Sequence, residues 1–139
     1  MTRTSQGERD DPRRAPEQRH VLVVDDDVDL LDLTAEVIEA EGFGVVRAHD
    51  GAQALDAVDR EMPDLILLDM KMPVMDGWEF ARRFHERYGH RAPIVVVTAA
   101  SDARKRAADI GAEGWLDKPF AVDALLKLVR APPAAGSTS

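Results

Sequence analysis

Five polar side chains of this sequence follow short apolar runs and are of types that can do chemistry together. They are Asp25, Asp26, Asp69, Thr98 and Lys118. A single aspartate or threonine at such a place is typical of a turn or a helix cap. If the apolar runs are parallel strands, however, their carboxyl ends meet at one edge of a sheet. Five polar groups at matching strand ends therefore indicate a functional site.

The three carboxylates limit the chemistry of this site. Carboxylates a few ångströms apart in a partly wet site repel each other by about 1–4 kcal/mol per pair. Raised pKa values or a bound cation relieve this repulsion. A ligand set made only of oxygen atoms suits Mg²⁺, which keeps water ligands for phosphate oxygens. A carboxylate can also accept a phosphoryl group as a nucleophile, with Mg²⁺ and a lysine stabilising the transferred oxygens.

Strand and helix patterns alternate along the chain and are expected to position these groups. Strands are predicted over 21–24, 44–48, 64–69, 94–98 and 113–116, and helices over 28–41, 52–60, 77–88, 102–110 and 122–129. Asp27 fits the N-cap of the first helix and Gly42 its end. Strands that are apolar on both faces and joined by helices indicate a parallel sheet covered on both sides.

Length and composition exclude several classes of protein. The chain has 139 residues, a formal net charge of −8 and no cysteine, which rules out disulfides, thiolate zinc sites and cysteine nucleophiles. Residues 1–19 are expected to form a flexible arm, 20–130 one folded domain, and 131–139 a disordered tail. Apolar runs such as Leu65 to Leu68 are only four residues long, so no membrane insertion is expected. With no apolar signal segment, a cytoplasmic location is predicted.

Direct DNA binding is not expected of this chain. The acidic balance disfavours neutralisation of phosphates. A helix-turn-helix also has no room after residue 130 in the sequence as it stands.

Several segments together resemble the receiver domain of two-component response regulators. They are Val23-Val24-Asp25-Asp26, Leu68-Asp69-Met70-Lys71-Met72-Pro73-Val74-Met75-Asp76-Gly77, Thr98-Ala99 and Lys118-Pro119-Phe120. The resemblance covers about residues 20–130. It implies a doubly wound (βα)₅ flavodoxin-like receiver fold in the α/β class. In this fold a five-stranded parallel sheet of order 2-1-3-4-5 carries helices on both faces.

The resemblance also implies a role for each site residue. Asp69 matches the phosphoacceptor. The Mg²⁺ ligands are matched by Asp25, Asp26, Asp69 and the backbone carbonyl of Lys71. Lys118 matches the lysine that pairs with the phosphoryl group, and the bond to Pro119 is cis in the family. Thr98 and Trp115 match the hydroxyl and aromatic switch residues.

The partners expected from the resemblance are other proteins. A sensor histidine kinase or a histidine phosphotransferase supplies the phosphoryl group, and an unidentified downstream protein receives the signal. The expected role is a stand-alone single-domain regulator that catalyses only its own phosphorylation and dephosphorylation, and is not otherwise an enzyme. Lys71 and Ala100 flank the phosphoryl path, and neither is a good water-orienting group, so slow self-dephosphorylation is predicted.

Three other interpretations are weaker. Asp25, Asp27, Asp29 and Glu36 imitate the spacing of a calcium EF-hand loop, but Leu30 stands where the sharp turn needs glycine. A module that keeps the fold without phosphorylation does not explain the complete set of site residues. A phosphatase of similar fold is disfavoured by the Lys118-Pro119-Phe120 segment and the lack of a cap domain.

Overall fold

Strands and helices alternate through the described part of the chain. The computed structural model describes residues 19–99 and 102–136. The strands are β1 His20–Val24, β2 Gly44–Ala48, β3 Leu65–Leu68, β4 Ile94–Ala99 and β5 Gly114–Lys118. The helices are α1 Val28–Ala40, α2 Gly51–Arg60, α3 Gly77–Tyr88, α4 Ala103–Ile110 and α5 Val122–Arg130. All ten predicted elements are present, with bounds that agree to within two residues.

The strands form one parallel sheet of order β2-β1-β3-β4-β5. Val24 is opposite both Ala48 of β2 and Leu68 of β3, so these strands end level with one another. At the other side of the sheet, Ala99 of β4 is opposite Lys118 of β5. The predicted fold class and strand order are therefore confirmed, and the carboxyl ends of the strands share one edge.

The sheet separates two apolar cores because successive strand residues point to opposite faces. On one face, Leu22 and Val24 pack with buried side chains of α2, α3 and α4, including Phe80. On the other face, Val21 and Val23 pack with buried side chains of α1 and α5. Both faces are covered, which explains why the strands read as continuous apolar runs.

Aspartate side chains cap the start of three helices. The side chain of Asp27 accepts a hydrogen bond from the Leu30 N–H at 3.2 Å, as predicted for the N-cap of α1. Asp50 and Asp76 cap α2 and α3 in the same way. Because α1 already begins at Val28, residues 25–36 do not form the calcium loop that their spacing imitates.

The predicted N-terminal arm, except Arg19, and residues 137–139 of the predicted C-terminal tail lie outside the described residues. Residues 131–136 follow α5, and the Gly136 N–H donates to Oε2 of Glu113 at 2.7 Å. None of the helices in 19–99 and 102–136 is both long enough and apolar enough to cross a membrane.

Candidate functional site

The carboxyl ends of β1 and β3 place two aspartates side by side. The Asp69 N–H donates to the Val24 carbonyl, and the Asp25 N–H donates to the Ala48 carbonyl, each at 3.0 Å. The hydrogen-bond ladder of the sheet thus continues one residue beyond each strand. It fixes the backbone positions of Asp25 and Asp69. Both aspartates are buried, at 6% and 7% exposure. With the exposed Asp26, they bring one carboxylate oxygen each to within 4.8 Å of the others.

Lys118 joins this cluster from the end of β5. Its Nζ donates to Oδ2 of Asp25 at 2.8 Å and lies 3.6 Å from Oδ2 of Asp69. Burial alone would lower the pKa of Lys118, but the two carboxylates outweigh burial and raise it. The ammonium group therefore stays charged at neutral pH and offsets part of the negative charge. The Lys118–Pro119 bond is cis, as predicted.

Asp69 remains difficult to ionise despite this lysine. Burial raises its pKa to about 6, Lys118 opposes that rise, and Asp25 adds to it. Loss of contact with water and the nearby carboxylate of Asp25 both disfavour the charged form of Asp69. An added cation at this place would relieve the repulsion, which is the behaviour expected of a metal site.

The donor set fits Mg²⁺. Three carboxylate oxygens, two from buried residues and one from the exposed Asp26, lie within 4.8 Å of one another and form an oxygen-only group. Mg²⁺ is bound in this way by few carboxylates, with water or phosphate oxygens in the other positions. The Lys71 N–H lies 3.4 Å from Oδ1 of Asp69, so the backbone of the next loop borders the same group.

The predicted switch residues lie on β4 and β5. Thr98 is 6% exposed and stands one residue before the end of β4. Trp115 is half-buried on β5, with the guanidinium of Arg104 5.8 Å from its ring centroid. Such a cation–π contact holds the indole against α4. Ala100, predicted to flank the phosphoryl path, lies outside the described residues.

Arg104, Lys105 and Arg106 form a basic run on α4, and their contacts differ. Arg106 lies 5.0 Å from the ring centroid of Trp78 and is ion-paired with Asp102 and Asp109. Arg104 and Lys105 are therefore the two residues of this run with exposed side chains.

Sequence reasoning missed an apolar groove beside the site. It has a volume of about 550 Å³ and lies between α1 and α5. Its lining includes Leu30, Leu33, Val37, Phe120, Val122 and Lys118. Leu33 is 58% exposed and Val122 50% exposed. The available signal was Leu33 itself, an apolar residue outside the buried stripe of α1.

Comparisons with known proteins agree with this geometry. The family model of the response regulator receiver domain matches residues 21–130. The response regulator MprA of Mycobacterium avium is 40% identical over 113 residues, which cover 80% of this chain and 49% of MprA. The transcriptional regulatory protein CpxR of Escherichia coli is also 40% identical over 113 residues, covering 80% of this chain and 47% of CpxR.

A solved structure shows the same fold. The chemotaxis response regulator CheY4 of Vibrio cholerae matches with a TM-score of 0.73 and 33% identity, over 81% of this chain and 96% of that one. The fold and site define a receiver domain. The chain belongs to the response regulator receiver family of two-component systems. It spans about half the length of the curated relatives MprA and CpxR.

Proposed function

We propose that this chain is a phosphorylatable switch in which Asp69 accepts a phosphoryl group from a phosphohistidine. The donor is a sensor histidine kinase or a histidine phosphotransferase. The observation that carries the proposal is the single cluster in which Lys118 reaches both Asp25 and Asp69. Apart from catalysing its own phosphorylation and dephosphorylation, the chain has no enzymatic role in this proposal.

Each residue of the cluster has a separate role in an in-line phosphoryl transfer. A carboxylate oxygen of Asp69 attacks phosphorus as the bond to the donor nitrogen breaks, and the imidazole leaves with the bonding electrons. Lys118 stabilises the negative charge on the phosphoryl oxygens. Its contact with the phosphoryl group replaces part of its contact with Asp25. Asp25, Asp26, Asp69 and the carbonyl of Lys71 would hold Mg²⁺, which would supply further positive charge at those oxygens.

The direct test is incubation of the purified chain with Mg²⁺ and acetyl phosphate, read by intact mass. We expect the mass of one added phosphoryl group, lost on treatment with hydroxylamine as an acyl phosphate is. Omitting Mg²⁺ is expected to suppress the product. A protein that stays unlabelled at high acetyl phosphate, with its fold intact, would contradict the proposal.

The groove between α1 and α5 supports a helical donor partner. An apolar surface next to Lys118 gives a partner that carries a phosphohistidine an area to bury while the imidazole faces Asp69. Leu33→Glu is expected to slow transfer from the cognate phosphorylated donor at least about tenfold, the loss of about 1.4 kcal/mol at the interface. Labelling by acetyl phosphate is expected to be unchanged, because Leu33 is 58% exposed and not part of the cluster.

A matched control is available on another surface. Val46 of β2 is 38% exposed, and the cavity it borders is lined by α2 rather than α5. Val46→Glu should leave both phosphodonors effective. Equal slowing by both variants would point to a general loss of fold instead of a donor surface.

The lifetime of the phosphorylated form is expected to depend on Lys71. Its side chain is exposed in the loop after Asp69, where an ammonium group can contact phosphoryl oxygens without orienting a water for attack. Lys71→Ala is expected to shorten the lifetime of the phosphorylated protein, measured by loss of label after removal of the donor. A longer lifetime in the variant would show that Lys71 assists hydrolysis.

Output is proposed to pass through protein contact in the cytoplasm. Thr98 turns toward the phosphoryl group, Trp115 follows, and the exposed Arg104 and Lys105 of α4 meet an acidic downstream protein. Arg104 touches Trp115, so a change at the indole alters this surface directly. We propose no direct DNA contact for residues 20–130 and a stand-alone mode of action for them. The transcriptional role in the name of CpxR belongs to that protein.

A further inference from the structure

The loop between β3 and α3 contains a strained turn beside the site. The Met75 N–H donates to the Pro73 carbonyl at 2.7 Å, which closes a γ-turn around Val74. Val74 has φ +68, a conformation that β-branched residues rarely adopt. Its side chain is 85% exposed, so no burial of the side chain compensates for the strain. Such turns persist only where surrounding contacts hold them.

One of these contacts comes from the first residue of α2. The Gly51 N–H donates to the Met75 carbonyl at 2.9 Å. A Cβ atom on Gly51 would lie 2.7 Å from that oxygen and 2.8 Å from Cγ of Met75, closer than real Cβ contacts. The amino-terminal N–H groups of a helix lack partners within it. The loop therefore binds α2 through one of these free donors, and only glycine permits the approach.

The base of the same loop is equally close-packed. The Gly77 N–H donates to the Met70 carbonyl at 2.9 Å, and a Cβ atom there would lie 2.9 Å from the Asp69 carbonyl oxygen. Between the base and the γ-turn lies Lys71, whose N–H borders Oδ1 of Asp69. The path of the backbone past Asp69 is thus held at both ends.

We infer that Gly51 and the γ-turn at Val74 are positioning elements for the metal site. They hold loop 70–76 against α2 so that the backbone of Lys71 stays beside Asp69, where its carbonyl would be available as a ligand of Mg²⁺. This inference rests on the proposed function, because the part of Lys71 in binding the metal belongs to that function. Neither Gly51 nor Val74 touches the carboxylate cluster, so their effect passes through the loop.

Calorimetric titration of the unphosphorylated full chain with Mg²⁺ tests the inference without any measurement of phosphorylation. Gly51→Ala is expected to raise the Mg²⁺ Kd about tenfold, the lower end of what loss of a supporting contact costs a metal site. Gly44→Ala is the matched control. A Cβ atom there would lie 3.4 Å from its nearest neighbour, the Cβ of His20, so Mg²⁺ binding should stay within about twofold of the unaltered protein.

A second variant separates positioning from stability. Val74→Gly removes the strain of the γ-turn, so its Tm is expected to match or exceed that of the unaltered protein. Glycine also opens more backbone conformations to the metal-free loop, so the Mg²⁺ Kd of this variant should rise, whereas Val74→Ala, which keeps a Cβ atom, should change the Kd less. This opposite movement of stability and metal affinity is not expected of a residue that only supports the fold.

The outcomes are distinct. If the unaltered chain binds Mg²⁺ and both Gly51→Ala and Val74→Gly bind it equally well, the positioning role is wrong and the proposed function stands. If Gly51→Ala does not fold, Val74→Gly decides by the same criterion. If the unaltered chain binds no Mg²⁺, both the positioning role and the metal-dependent part of the proposed function fail.

Discussion

Replacing Asp69 with asparagine is expected to abolish phosphoryl incorporation from acetyl phosphate and from any histidine donor. The expected loss of rate is at least about a thousandfold, because removal of a nucleophile leaves only binding and electrostatic effects. Asparagine keeps the size of the side chain and one oxygen that can stay beside the Lys71 N–H. The fold and the entry path are thereby preserved. The measurement is intact mass after incubation with Mg²⁺ and each donor.

Asp117→Asn provides the control. Asp117 precedes Lys118 on β5 and is exposed, so this variant removes a carboxylate near the site but outside the cluster. It should be labelled like the unaltered chain. Label that persists on Asp69→Asn would show that another side chain accepts the phosphoryl group, and peptide mapping would identify it.

Much of the fold could be predicted because the short apolar runs of strands and the helical spacing of apolar residues alternate along the chain. Leu65–Leu68 is buried throughout, and a short run of this kind between turn residues predicts an internal strand. The first residue of α1 could also be predicted from nearby sequence, since the side chain of Asp27 caps this helix. The convergence of Asp25, Asp69 and Lys118 followed from parallel strands alone, whereas their individual roles came from the family resemblance.

The contacts missed in the sequence depend on parts of the chain that are distant from each other. Nothing near Gly51 indicates that its N–H meets Met75, because the loop after β3 reaches α2 only once the sheet is formed. The pairing of Lys118 with Asp25 also required the structure, since those residues are 93 positions apart. Recognition of the groove between α1 and α5 required the exposure of Leu33, which the spacing of apolar residues does not give.

The same Asp69→Asn variant is expected to be more stable than the unaltered protein at neutral pH without divalent cations. Burial and Asp25 raise the pKa of Asp69 from 3.8 to about 6 despite Lys118. Between these two pH values the folded chain holds a proton that the unfolded chain has released. Stability contributed at this group is therefore highest below pH 4 and falls as the pH rises to 6. Above pH 6 the full cost of ionising Asp69 in the fold is present.

Asparagine does not ionise, so the gain in unfolding free energy of the variant should appear as the pH rises from 4 to 6. We expect a gain of about 2–3 kcal/mol at pH 8 in EDTA, from a shift of about two pKa units, and a rise in Tm of roughly 5–10 °C. At pH 4 the two proteins should unfold within about 2 °C of each other. The measurement is thermal unfolding at pH 4, 6 and 8, with Asp117→Asn expected to show no such trend.

Mg²⁺ supplies the decisive comparison at pH 8. A cation held by Asp25, Asp26 and Asp69 stabilises the folded state in proportion to the negative charge it neutralises. It should therefore raise the Tm of the unaltered chain more than that of Asp69→Asn, and the gap between the two should narrow as Mg²⁺ is added. A variant that is less stable than the unaltered protein at pH 8 in EDTA would contradict this account. The attraction between Lys118 and Asp69 would then outweigh the repulsion and burial at this site.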